Sequence, residues 1–138
     1  MQKGMIKFTI PLPPITKKNH QRILINRKTG KHFIAQSEQY IQYAKDAAWF
    51  IPKGQLINVP VNVKCVFYMP TRRKCDLTNL LEAIDDVMVS CGLLTDDSYS
   101  VIHSHDGSRV MYCKERPRTE IEIVEVGENE FEKIGKDY

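Results

Sequence analysis

Residues Arg72–Asp97 read RRKCDLTNLLEAIDDVMVSCGLLTDD. Three cations come first. A run follows in which Leu77, Leu80, Leu81, Ile84, Val87, Met88 and Cys91 recur at helical spacing. At about 100° per residue these side chains fall in one arc, so the stretch predicts an amphipathic helix over Leu77–Ser90. Asp76 stands at the N-cap position, and Gly92 stands just past the end, where glycine favours the left-handed turn that closes a helix. The opposite arc carries Asp76, Asn79, Glu82, Ala83 and Asp86, and Asp96-Asp97 follow after a few residues. Neighbours three or four apart share a face, so Asn79 lies between Asp76 and Glu82, with Asp86 a turn beyond.

Working upstream, Val61, Val63, Cys65, Phe67 and Met69 alternate with Asn62, Lys64, Val66 and Tyr68. This predicts a strand over Val59–Met69 with both faces partly covered. Pro70 ends it, leaving Thr71–Lys74 as a loop. Lys7–Leu12 reads as a first strand, stopped by Pro11, Pro13 and Pro14. Ile23, Ile25 and His32–Ile34 flank Arg27-Lys28-Thr29-Gly30, a hairpin with Gly at the tight position. Ser37 caps a helix running to about Phe50, with Tyr40, Tyr43, Ala44, Ala47 and Trp49/Phe50 at helical spacing. Downstream, a short strand near Ser98–Ser104 precedes a turn at Asp106-Gly107. A final strand, about Thr119–Val126, sets Ile121 and Ile123 on one face between Glu120 and Glu122. The chain shows no repeat and no linker: one domain over residues 1–126, then an acidic tail over 127–138. The expected fold class is α+β, two layers, a mixed β-sheet with two main helices.

Composition narrows the function. A chain of 138 residues with 42% hydrophobic content is one ordinary globular domain. It has no run of about 18 apolar residues to span a membrane. The N-terminus MQKGMIKFTIPLPP carries no apolar signal core, so a cytoplasmic chain is expected. Cys65, Cys75, Cys91 and Cys113 form no Cys-x-x-Cys pair and no zinc-finger spacing, so reduced thiols are expected. Charge is polarised: Met1–Cys75 holds fourteen Lys or Arg against two Asp or Glu, and Asp76–Tyr138 holds six against fifteen. Such asymmetry points to a basic surface that meets a polyanion, unless the two halves neutralise each other in the fold.

The carboxylates of Arg72–Asp97 suit Mg²⁺, which takes hard oxygen ligands from one or two carboxylates together with waters and phosphate oxygens. A metal there can activate water and neutralise charge on a phosphate. Arg72, Arg73 and Lys74 stand ready for the nucleic-acid backbone on either side, and Lys17, Lys18, Asn19, Arg22, Arg27, Lys28 and Lys31 form a second basic region. Taken singly, Asp76 reads equally as a helix cap, Glu82, Asp85 and Asp86 as a solvated face, and Asp96-Asp97 as a turn. His103 and His105 alternate as a metal pair would, but the nearby sequence lacks the rest of such a set.

The pattern D-L-x-N-L-x-x-A-x-x-D, with Asp-Asp about ten residues on, resembles the RusA family of Holliday junction resolvases. The match lies at Asp76, Leu77, Asn79, Leu80, Ala83, Asp86, Gly92 and Asp96-Asp97, with FYMPTRRKC as lead-in and a similar element order over about residues 5–126. The resemblance implies a small homodimer, often phage- or prophage-encoded, that uses Mg²⁺ (Mn²⁺ substituting) to nick paired strands at four-way DNA junctions. It implies metal-ligand roles for Asp76 and Asp97, with Asp96 as acidic neighbour. Arg109 and Arg118, in a segment similar to the ending of phage-type members, are candidate DNA contacts or partners of nearby glutamates. Two positions depart from the best-known pattern. Thr78 stands where it has a second helix Asp, and Glu82 where it has a catalytic Lys. Four apart on one face, the pair suggests a swap in which Glu82 supplies the missing ligand and Lys74, Lys17 or Lys18 the missing cation. The expectation is therefore a Mg²⁺-dependent junction endonuclease with Asp76, Glu82 and Asp97 as catalytic residues. The alternative is a non-catalytic protein that binds branched DNA and has kept the fold.

Overall fold

The computed structural model describes residues 4–17, 22–35 and 37–127. The expected acidic tail from residue 128, and Lys18 and Asn19 of the basic segment, lie outside the described residues. Seven strands and two helices follow in the order β1 (Met5–Ile10), β2 (Arg22–Ile25), β3 (His32–Ala35), α1 (Glu38–Ala48), β4 (Val61–Met69), α2 (Leu77–Ser90), β5 (Ile102–Ser104), β6 (Arg109–Tyr112) and β7 (Arg118–Glu125). The fold is α+β, with a mixed sheet and two helices as its main elements.

The main sheet runs β1-β7-β4, and β5 and β6 share the far edge of β4. The β1–β7 and β7–β4 pairs are antiparallel; β4 pairs parallel with both β5 and β6. Register explains the core. Ile6, Ile123 and Val63 form one cross-strand row, Phe8, Ile121 and Cys65 the next, and Ile10, Thr119 and Phe67 a third. A period of two puts these rows on one face, where they join Leu80, Ile84, Val87 and Met88 of α2 and Tyr40, Tyr43 and Ala47 of α1 in the buried cluster. The reverse face carries the charged row Lys7, Glu122 and Lys64, with Lys7 Nζ 3.8 Å from Glu122.

Helix α2 has the expected bounds. It closes with Leu93 N–H donating to Met88 O at 3.0 Å and Gly92 N–H to Val89 O at 3.1 Å, with Gly92 at φ +87°. That is the double bond of a Schellman stop, which needs a residue tolerant of the left-handed region. α1 is capped as expected, Ser37 Oγ accepting from Tyr40 N–H at 3.0 Å. It ends at Ala48, however, and Trp49 is 85% exposed instead of continuing the apolar face. The β2–β3 hairpin turns through Gly30 at φ +71° and forms its own two-stranded sheet. Three expectations need correction. β6 was not anticipated. Ala83, expected on the polar arc of α2, is buried under Tyr40, whose hydroxyl donates to Ala83 O at 3.1 Å. Asp76 holds the N-cap position but makes no side-chain cap bond. Among the described residues no helix is long and apolar enough to cross a membrane.

Candidate active site

The polar arc of α2 divides into two ends. At the N-terminal end Asp76 is exposed, and its only described hydrogen bond comes from Asn79 Nδ2 at 3.3 Å. The Thr71–Lys74 loop leads into it. Arg73 and Lys74 are exposed and line a groove with Leu12–Thr16 and the start of α1. Arg72 lies over the Tyr112 ring, 4.1 Å from its centroid, which ties the loop to β6. Arg109 is exposed on that strand.

The C-terminal end is organised differently. Glu82 is exposed on the same arc, four residues before Asp86. Asp86 receives the Lys17 ammonium, which reaches it from the segment after Pro13-Pro14 and lies 5.9 Å from the Tyr40 ring centroid. Burial, then the charges of Asp86, Tyr43 and Glu82, push the Tyr40 hydroxyl up to about 12, so it remains a donor at neutral pH. Asp85, expected on the solvated face, is buried, and its Oδ2 meets His105 Nε2 at 2.8 Å. The other ring nitrogen, Nδ1, lies 2.8 Å from Val63 O. A carbonyl oxygen only accepts, so Nδ1 carries a proton. The contact between Nε2 and the carboxylate then holds a second one, shared within the pair. Burial raises the Asp85 carboxyl. His105 opposes that rise, and the charges of Asp86 and Asp97 add to it. Burial works against the charged imidazole, but the bond to Asp85, its charge and the Val63 carbonyl hold His105 above its ordinary value. Asn62 fixes the adjoining loop: its Oδ1 accepts from Asp106 N–H at 2.8 Å and Ser104 Oγ at 2.6 Å.

The structure thus brings Asp97 within electrostatic reach of Asp85, one residue from Asp86 and three from Glu82. Asp76 stands nine residues before Asp85, roughly 14 Å along the helix axis. Asp96 is a turn-former: Ser98 and the Asp97 N–H, which donates at 2.8 Å, hold its carboxyl below the usual range. Arg118 is engaged within the protein, donating to Glu120 at 3.0 Å and to Arg116 O at 3.0 Å and stacking 3.7 Å from the Tyr68 centroid. That is the glutamate-pairing alternative read from sequence. Among the described residues no three His, Cys, Asp or Glu side chains gather closely enough to hold a metal ion. The donor set nonetheless fits a hard cation. It consists of carboxylate oxygens, and one of them, Asp85 Oδ1, is buried with no hydrogen-bond partner. Sequence reasoning missed Asp85 and His105 as a pair. The available signal was position: Asp85 lies four residues from both Leu81 and Val89, at the margin of the apolar arc.

Exposed cations leading into a helix of oxygen donors, on a small α+β domain, are the equipment of a protein that works on nucleic-acid phosphates. Residues 11–124 match the family model described as endodeoxyribonuclease RusA. The chain belongs to that family. It is similar to the crossover junction endodeoxyribonuclease of Enterobacteria phage 82, 29% identical over 98 residues, covering 68% of this chain and 75% of the relative. The Escherichia coli K12 protein of the same description is 28% identical over the same shares. That of Aquifex aeolicus is 30% identical over 88 residues, 62% of this chain and 66% of its own.

Proposed function

We propose that this protein is a Mg²⁺-dependent endodeoxyribonuclease that resolves four-way DNA junctions by paired nicks, acting as a homodimer. The observation that carries the reading is the family match across residues 11–124, together with relatives described as crossover junction endodeoxyribonucleases. Asp76 and Asp97, with Asp96 and Glu82, are the proposed metal ligands, and Mn²⁺ is expected to substitute. When bound, the metal would supply an activated water and a counter-charge for the scissile phosphate. The chain's own residues do the rest. Arg72, Arg73 and Lys74 lie at the mouth of α2, where they can clamp the backbone. Lys17, Lys18 and Arg109 extend the cationic surface. Contacts of this kind make binding salt-dependent and indifferent to sequence, which suits recognition by shape. A two-fold dimer would present two equivalent sites to two strands of a junction.

A labelled synthetic four-way junction and a matched linear duplex, each with Mg²⁺ or EDTA, test this. Symmetric nicks on the junction alone, abolished by EDTA and in Asp76→Asn, are expected. Tight junction binding without nicks under any metal would instead support the non-catalytic reading, which the Thr78 and Glu82 departures favour.

A further inference from the structure

Lys17 is not part of α2, yet its ammonium lies on the helix's polar arc. It pairs with Asp86 across 69 residues of sequence, and its side chain is only 20% exposed. Around that pair stand Glu82, Asp85 and Asp97. Carboxylates this close repel one another and are costly unless a cation offsets them. The described neutralising groups are Lys17, on Asp86, and the proton that His105 shares with Asp85. A second, separate observation points to a ligand here. Asp85 is 9% exposed, and its Oδ1 is buried with no hydrogen-bond partner. Leaving such an oxygen unsatisfied is unfavourable, and a bound cation would remove that penalty.

We propose that Lys17 is a tethered counter-ion that competes with the divalent cation for the Asp86 carboxylate. This rests on the metal dependence proposed above and deepens it: Asp86 becomes a ligand, and Lys17 sets how tightly the metal is held. Without metal, the ammonium covers one carboxylate of the cluster and limits its self-repulsion. A divalent ion brings twice the charge and can bridge several carboxylates, so it displaces the lysine. The displaced ammonium, still tethered beside Tyr40, then faces any phosphate bound to the same metal. A lysine that merely staples residues 11–17 to α2 behaves differently: its removal loosens the fold and leaves metal affinity no higher.

The test is calorimetric titration of the full chain with Mn²⁺, without DNA. Lys17→Met should bind Mn²⁺ about three- to tenfold more tightly than the parent, the scale of releasing one partly buried ion pair. Lys17→Gln should repeat the gain should the methionine variant fold poorly, and Lys17→Arg should stay at the parent's affinity. Asp86→Asn should bind more weakly, and adding Lys17→Met to it should change nothing. Unchanged or weaker binding by both neutral variants, with the parent still binding, overturns the counter-ion role and leaves metal dependence standing. Absence of Mn²⁺ binding in every variant, with junction nicking that persists in EDTA, overturns both.

Discussion

The two ends of α2 carry the same kind of side chain in opposite circumstances. At the N-terminal end Asp76 is exposed, makes no cap bond, and has Asn79 as its described partner. Three or more turns along, Asp85 is buried against His105 and Asp86 is covered by Lys17. A carboxylate the fold does not use is free to be used by a ligand. A carboxylate locked into a partner couples the site to the fold. The helix therefore offers an open end to metal and DNA and anchors its other end to β4 and the β5–β6 turn.

That division can be broken most sharply at Asp76. Asp76→Asn should lower junction nicking by at least about 100-fold, the scale of losing one electrostatic contact to the reacting group. Its unfolding free energy should stay within about 0.5 kcal/mol of the parent. A large loss of stability in urea titration would mean that Asp76 serves the helix. At the other end the balance reverses. His105→Ala leaves a buried carboxylate without its partner and should cost roughly 2 kcal/mol of stability, read from the shift in urea midpoint. Glu82 sharpens the comparison midway: Glu82→Gln should weaken Mn²⁺ binding by about tenfold if it substitutes for the ligand that Thr78 lacks. Full affinity and activity in that variant would end the swap hypothesis.

The smallest effect is in pH. Asp85 and His105 both hold protons more tightly folded than unfolded. The folded state thus binds more protons, and stability falls as pH rises. The His105 contribution is fully present below 6.5, its ordinary value, and is lost as pH climbs through the raised folded value. Melting temperature should decline over that window in the parent, and His105→Gln should flatten the decline.

What could be read from sequence follows the range of the interactions. The bounds of α2 were legible because its apolar arc and Gly92 are local signals, and the hairpin because Gly30 marks its turn. β6 was not: Arg109–Tyr112 is exposed throughout and has no alternation. It is a strand because its backbone pairs with Val66–Met69, more than forty residues earlier. The site divides the same way. Asp76, Glu82 and Asp97 stood out as residue types at helical spacing. The burial of Ala83 depends on Tyr40, the burial of Asp85 on His105, and the neutralisation of Asp86 on Lys17. Each comes from a distant segment that no local pattern announces.

The central claim is paired cutting by a symmetric, metal-dependent enzyme. A supercoiled plasmid that extrudes a cruciform tests it most directly, with Mg²⁺ and the wild-type chain. Two coupled nicks within one encounter yield linear plasmid, the predicted product, with none formed by Asp76→Asn or in EDTA. Plasmid that stays supercoiled despite bound protein, or accumulates only as singly nicked circles, would contradict it.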